Sequence, residues 1–337
     1  MKIWIYIVKR ILVAIPTLVG VTLLCFALVR VLPGNPAYLI AGPYASEKDV
    51  QEVIEQMGMK KPLFVQYWIY MKELLRGDLG RAWFTSQPVT TDLMDRFPAT
   101  FELANFSFLL AFLIGVPLGI LSAVKRDSWL DHFGRVFSIL GVSMPLFWSG
   151  LLFIFFFYSE LKIAPPPMGR IDSFISPPDR MTGMYVLDSL LTGNWLAFKS
   201  SLSRLFLPTL TLGLSMFAPI LRMVRSSMLE VLQSRYVKTA IAYGLPQREV
   251  IYHYALKNAL LPIITTMAIF YGFALSGMVL VETIFGWPGM GLYAINAILN
   301  NDYAAIQGIV VFITFIYVGL FILVDILYAF VDPRISF

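Results

Sequence analysis

Cysteine, histidine and charge are all scarce in this chain. One cysteine, Cys25, stands in 337 residues, so neither an internal disulfide nor a thiolate metal site can form. Two histidines, His132 and His253, are too few for a histidine cluster, and each reads as an interfacial or packed side chain. Charged residues make up 14%, where a soluble domain carries about 25%. That shortage excludes a soluble enzyme, a disordered chain and a secreted disulfide scaffold. No GxxxxGK[ST] phosphate loop, HExxH, GxSxG or CxxC occurs, so no catalytic constellation is visible and no metal site is expected.

Apolar residues take the place of charge, at 58% of the chain with a mean hydropathy of +0.73. A spanning helix needs about 20 apolar residues to cross ~30 Å of hydrocarbon. Stretches without Asp, Glu, Lys or Arg occur at Ile11–Val29, Leu103–Val124, Val136–Ser159, Leu205–Leu221, Asn258–Val281 and Tyr303–Val324. They predict an all-α, polytopic membrane protein with six transmembrane helices. The fourth run is the shortest and holds Pro208 and Pro219. The first has no small-x-small cleavage site after it and reads as an uncleaved helix. Residues 182–198 are divided by Asp188 and cannot span.

Basic residues set the orientation. Lys125, Arg126 and Arg135 crowd the 125–135 loop, whereas 283–302 has no Lys or Arg. Placing the first inside puts both termini in the cytoplasm and the 30–99 and 160–204 segments outside. The net charge of +5 then belongs to cytoplasmic loops, not to a nucleic-acid surface. The expected organisation is residues 1–32 as the N-terminal region with the first helix, 33–99 as a small external (periplasmic) helical subdomain, 100–331 as the core and 332–337 as a cytoplasmic tail.

Gly115 and Gly119 form a GxxxG step that lets two helices approach closely. Two acids lie near the spans. Glu102 reads as an N-terminal carboxylate beside a helix dipole, and Asp325 as a group that snorkels or pairs with Arg334 rather than a proton relay.

The largest cytoplasmic segment, 222–257, is too polar to span. It predicts a helix over Ser226–Tyr243 stopped at Gly244, then a second from Pro246 through Glu249 toward Leu256, lying along the membrane. In the second, Val250, Ile251, Tyr254 and Ala255 alternate with Arg248, His253 and Lys257. Two readings stand on the residues alone: a docking surface for a cytoplasmic partner, or a connector packed on its own bundle.

Lys238-Thr239-Ala240-Ile241-Ala242-Tyr243-Gly244-Leu245, followed by Ala255-Leu256-Lys257-Asn258-Ala259-Leu260-Leu261-Pro262, resembles the cytoplasmic "EAA" signature of ABC importer permeases. Pro33-Gly34-Asn35-Pro36, Gly77-Asp78-Leu79-Gly80, Arg96-Phe97-Pro98-Ala99-Thr100, Glu282-Thr283-Ile284-Phe285-Gly286-Trp287-Pro288-Gly289-Met290-Gly291 and Asp332-Pro333-Arg334 stand in the order of the peptide/nickel branch, and are similar to its B-type dipeptide permeases. The resemblance implies a coupling helix seated on an ATPase, with Lys238, Thr239, Ala240, Gly244, Leu245, Arg248 and Glu249 at the contact. Lys238 stands where the generic signature has Glu, so an ion pair made by that glutamate does not carry over.

The resemblance also implies partners: a second homologous permease, two ATP-binding subunits, a periplasmic or extracellular substrate-binding protein, and the surrounding lipid of a bacterial inner membrane. ATP and Mg would sit on the partner ATPase subunits, with no cofactor bound by this chain and no nucleic acid. Glu282, Trp287, Pro288 and Gly289 would form an outer gate or the contact with the second permease. Gln66, Tyr67, Gly77 and Asp78 would belong to an external subdomain that meets the binding protein or caps the bundle. Dipeptides are the expected cargo. A nickel chelate, haem or cationic peptides are the alternatives within the family, and a stand-alone secondary carrier or channel is the alternative outside it.

Overall fold

The computed structural model describes residues 2–31, 45–56, 60–276 and 279–331. Thirteen helices are found among them and no sheet, only an isolated bridge between Arg81 and Pro88. They are α1 (Lys2–Val31), α2 (Glu47–Gln56), α3 (Leu63–Leu75), α4 (Val89–Val124), α5 (Trp129–Ser143), α6 (Leu146–Glu160), α7 (Tyr185–Leu191), α8 (Trp195–Leu232), α9 (Arg235–Ala242), α10 (Gln247–Leu275), α11 (Val279–Ile284), α12 (Met290–Leu299) and α13 (Tyr303–Val331). Pro33-Gly34-Asn35-Pro36, Gly58 and Asp332-Pro333-Arg334 lie outside the described residues.

Among the described residues, five helices are long and apolar enough to cross a membrane: α1 over Val8–Ala27, α4, α8, α10, and α13 over Tyr303–Tyr328. The third apolar run is not one straight rod. It is the pair α5 and α6, bent by 106°. Pro145 follows Met144, whose ψ of 123° is extended because the proline ring crowds a helical residue before it.

The charge-free runs also underestimate helix length, because they mark hydrocarbon and not hydrogen bonding. α4 begins at Val89, several turns before Leu103, and runs across the 99/100 boundary. α8 extends well past Leu205–Leu221 at both ends and contains Pro208 and Pro219. Its start is capped by Asn194, whose side-chain oxygen accepts from the Ala197 amide at 3.0 Å.

The core lies where α4 packs on α8, with Leu103, Ala111, Leu212, Met216, Ile220 and Val224 buried between them. The GxxxG step sits in this contact. A Cβ on Gly119 would come within 2.7 Å of the Val224 Cβ. α1 stands on α13, where Gln307 Nε2 donates to the Cys25 carbonyl at 2.9 Å. Asp325 pairs there with Arg10 at 3.0 Å. That partner is a residue of the first helix; Arg334 lies outside the described residues.

Candidate functional site

Two regions carry the polar chemistry. The first is the 222–257 segment. It is not one helix from Ser226 to Tyr243: α8 ends at Leu232, and Ser234 takes an extended conformation (φ −65°, ψ 152°) before α9 begins. Val237 and Ala240, three residues apart on α9, are buried against Val250, with Val231, Leu232, Leu245 and Tyr254 around them. α9 stops in a paired cap in which the Gly244 amide donates to the Ile241 carbonyl at 2.9 Å and the Leu245 amide to the Ala240 carbonyl at 3.3 Å. Gly244 has φ +78°, and a Cβ added there would meet nothing within 4 Å, so the backbone angle alone selects glycine.

Pro246 then opens α10, which continues through a π-helical stretch, Val250–Leu256, straight into the span. The second helix is therefore the foot of the fifth apolar run rather than a separate element along the membrane. Its faces divide as the sequence predicts: Val250 and Ala255 are buried, and Arg248, His253 and Lys257 are exposed.

Of the residues expected at the ATPase contact, Lys238, Thr239, Gly244, Arg248 and Glu249 are exposed, Leu245 is half-buried and Ala240 faces inward. The outer surface also shows Ile241, Tyr236 and Tyr243, the last 83% exposed. A residue pair that sequence reasoning passed over ties this segment to the bundle. Asp131, wholly buried in the first turn of α5, takes Arg225 of α8 in a bidentate grip at 2.5 and 2.9 Å and accepts the Asp127 amide at 3.0 Å.

The second region lies at the opposite end of α4. Glu282 of α11 is fully buried and caps α12, accepting the Gly291 and Leu292 amides at 2.7 and 3.0 Å and the Thr100 hydroxyl at 2.7 Å. Burial pushes its carboxyl up to about 7, while Thr100 and the two amides pull it down. Trp287 is buried and donates from Nε1 to the Ala99 carbonyl at 2.8 Å. Gly289 is buried beneath Glu282, and Pro288 alone of the four expected gate or contact residues is exposed.

Beside them, Glu102 is paired with Arg170 at 2.6 Å and accepts the Val186 amide at 2.7 Å. It sits deep within α4 and neutralises a cation, so the reading of a carboxylate at a helix start is overturned. Arg170 also donates to the Gly183 carbonyl at 2.9 Å and stacks on Tyr185 at 3.8 Å; its Nε has no hydrogen-bond partner. Asp188 gathers the 181–183 turn. Burial pushes its carboxyl up, but the Thr182 hydroxyl and the amides of Thr182, Gly183 and Met181 outweigh that and hold it below the usual range.

The four residues expected in the external subdomain do local work. Gln66 is buried and donates to the Lys61 carbonyl at 2.8 Å, and Tyr67 meets Thr22 of α1 at 3.0 Å. Gly77 (φ +80°) ends α3, and Asp78 accepts the Gly80 amide at 2.9 Å. Among the described residues, no group of three or more His, Cys, Asp and Glu could hold a metal.

The comparisons with known proteins fit this architecture. Residues 115–337 match the family model of the binding-protein-dependent transport system inner membrane component, and 3–104 its N-terminal membrane component. The chain belongs to this family. It is 45% identical over 317 residues to the probable D,D-dipeptide transport system permease protein DdpB of Escherichia coli K12, covering 94% of this chain and 93% of that one. It is 41% identical over 332 residues to the dipeptide transport system permease protein DppB of Alkalihalophilus pseudofirmus, covering 98% and 99%. Among solved structures, an inward-facing form of the MetNI methionine ABC transporter shares the fold, with a TM-score of 0.54 at 14% identity over 71% of this chain and 96% of that one. The chain is thus a multi-pass permease subunit of a bacterial inner membrane.

Proposed function

We propose that this permease forms one half of the pathway of an ATP-driven importer for dipeptides or similarly short peptides. The near full-length likeness to dipeptide permeases carries the cargo reading. The chain crosses six times, with the bent α5–α6 pair as the third crossing, and both termini are cytoplasmic. Residues 33–99 stand outside, and 222–257 meets the ATPase.

Chemistry in this scheme resides elsewhere. ATP and Mg occupy two partner subunits, a second permease completes the pathway and an external binding protein delivers the peptide. A ligand shifts an equilibrium only through its different affinity for the two states, so the exposed face of α9 and Gly244–Glu249 must contact the ATPase differently before and after ATP binding.

Uptake of a radiolabelled dipeptide tests the reading. Deleting the chain should abolish binding-protein-dependent uptake, and restoring it should recover both uptake and co-purification with a Walker-type ATPase. A chain that purifies alone and carries solute in liposomes without ATP would be a secondary carrier instead.

A further inference from the structure

α3 carries an apolar face that the bundle does not use. Its inner side is anchored to α1: Tyr67 Oη lies 3.0 Å from Thr22 Oγ1, and the Phe26 ring meets Tyr67 edge-on at 5.4 Å and Tyr70 at 6.1 Å. Thr22 and Phe26 fall within the Val8–Ala27 stretch of α1 that is apolar enough to cross the membrane. α3 is therefore held at the depth where that span ends, not out in the aqueous phase above it.

The opposite side of α3 presents Phe64, Trp68 and Leu75, which are 79%, 56% and 80% exposed. Spacings of four and seven residues put the three on one stripe of the helix. Lys72 lies on the same side, its Nζ 5.7 Å from the centre of the Trp68 ring. A tryptophan beside a lysine whose stem follows apolar surface and whose ammonium reaches outward is the chemistry of the boundary between acyl chains and headgroups.

Thirteen residues reach only ~20 Å, so α3 cannot span. Val19, Leu23 and Leu24 are exposed in the same turns of α1 that hold Thr22 and Phe26, while α13 packs on that helix. Glu73 and Arg76 lie off the stripe and stay in reach of water.

We propose that α3 is an interfacial helix whose Phe64, Trp68 and Leu75 insert into the outer leaflet, with Lys72 reaching the lipid phosphates. The external subdomain would then meet lipid on this face, and a binding protein would contact other parts of it.

Spin-label accessibility tests this. The buried Cys25 is replaced by alanine, and a nitroxide is placed by Phe64→Cys, Trp68→Cys or Leu75→Cys. Leu24→Cys serves as the lipid reference and Gln87→Cys as the water reference. The protein, with the subunits that accompany it, is reconstituted in nanodiscs of phosphatidylethanolamine with phosphatidylglycerol. At 64, 68 and 75, oxygen collisions should match those at 24, and collisions with a water-soluble nickel chelate should be nearly lost. High nickel collisions, as at 87, would put the face in water and overturn the proposal. Low collisions with both reagents would mean that a protein partner covers it, which overturns the proposal equally.

Discussion

Breaking the Glu102–Arg170 pair should destabilise the chain far more when one partner is removed than when both are. The two charges meet at 2.6 Å, with side chains only 1% and 6% exposed, so neither can recruit bulk water if the other is lost. Removing one partner of a buried pair costs roughly 3–5 kcal/mol, whereas replacing both by neutral groups of similar size is often close to neutral. Arg170→Met leaves the Glu102 carboxylate with the Val186 amide as its remaining donor. Glu102→Gln leaves a guanidinium with the Gly183 carbonyl and the Tyr185 and Trp287 rings. Each single variant should therefore lose about 3–5 kcal/mol, and the double variant should recover at least about 3 kcal/mol of the summed loss. Cys25, the sole thiol and 4% exposed, supplies the assay, because its reaction with a maleimide dye reports unfolding in mild detergent. Additive losses in the double variant would show that the two groups do not depend on each other, and would refute the reasoning.

Three further outcomes follow from the same geometry. Gly289→Ala would place a Cβ 2.4 Å from Glu282 Oε1, so it should lower the unfolding midpoint by an amount corresponding to about 1–3 kcal/mol; an unchanged midpoint would mean that the cap is loose. Gly244→Val meets open space but a φ of +78°, so the chain should insert normally while ATP-driven uptake falls; normal uptake would count against the coupling role. For Glu282, the folded carboxyl titrates at about 7 against an ordinary 4.5, so the folded state binds its proton more tightly. Stability from this group is full below the lower value and is lost as pH rises through 7, a loss of about 3 kcal/mol between roughly pH 4 and 8. Glu282→Gln should flatten that dependence when melting is followed across this range.

Properties that depend on one stretch of chain were legible in the sequence. Apolar runs reveal hydrocarbon, Gly244 reveals a helix stop because only a residue without Cβ sits easily at positive φ, and Gly119 reveals a close approach. Helix ends were not legible: the first turns of α4 are polar enough to read as loop, yet Leu93 and Ala99 bury one face of them. The break at Gln233-Ser234 has no proline or glycine to announce it. Pairings between distant residues left no trace at all. Arg170 lies 68 positions from Glu102, and Arg225 lies 94 from Asp131, so only the fold shows that each carboxylate has a cation. Trp287 and Glu282 stood out in the sequence as a rigid turn, but their burial and their bonds to Ala99 and Thr100 did not.

Site-directed cross-linking tests most directly the docking of an ATPase on 222–257. In a Cys25→Ala background, Tyr243→Cys and Glu249→Cys occupy the exposed face, while Val237→Cys lies on the buried face of α9. In native membranes, the first two should form adducts with an ATP-binding subunit, at an efficiency that changes when ATP is added, and the third should form none. Failure of both exposed positions to reach an ATPase, in a complex that still transports, would contradict the account.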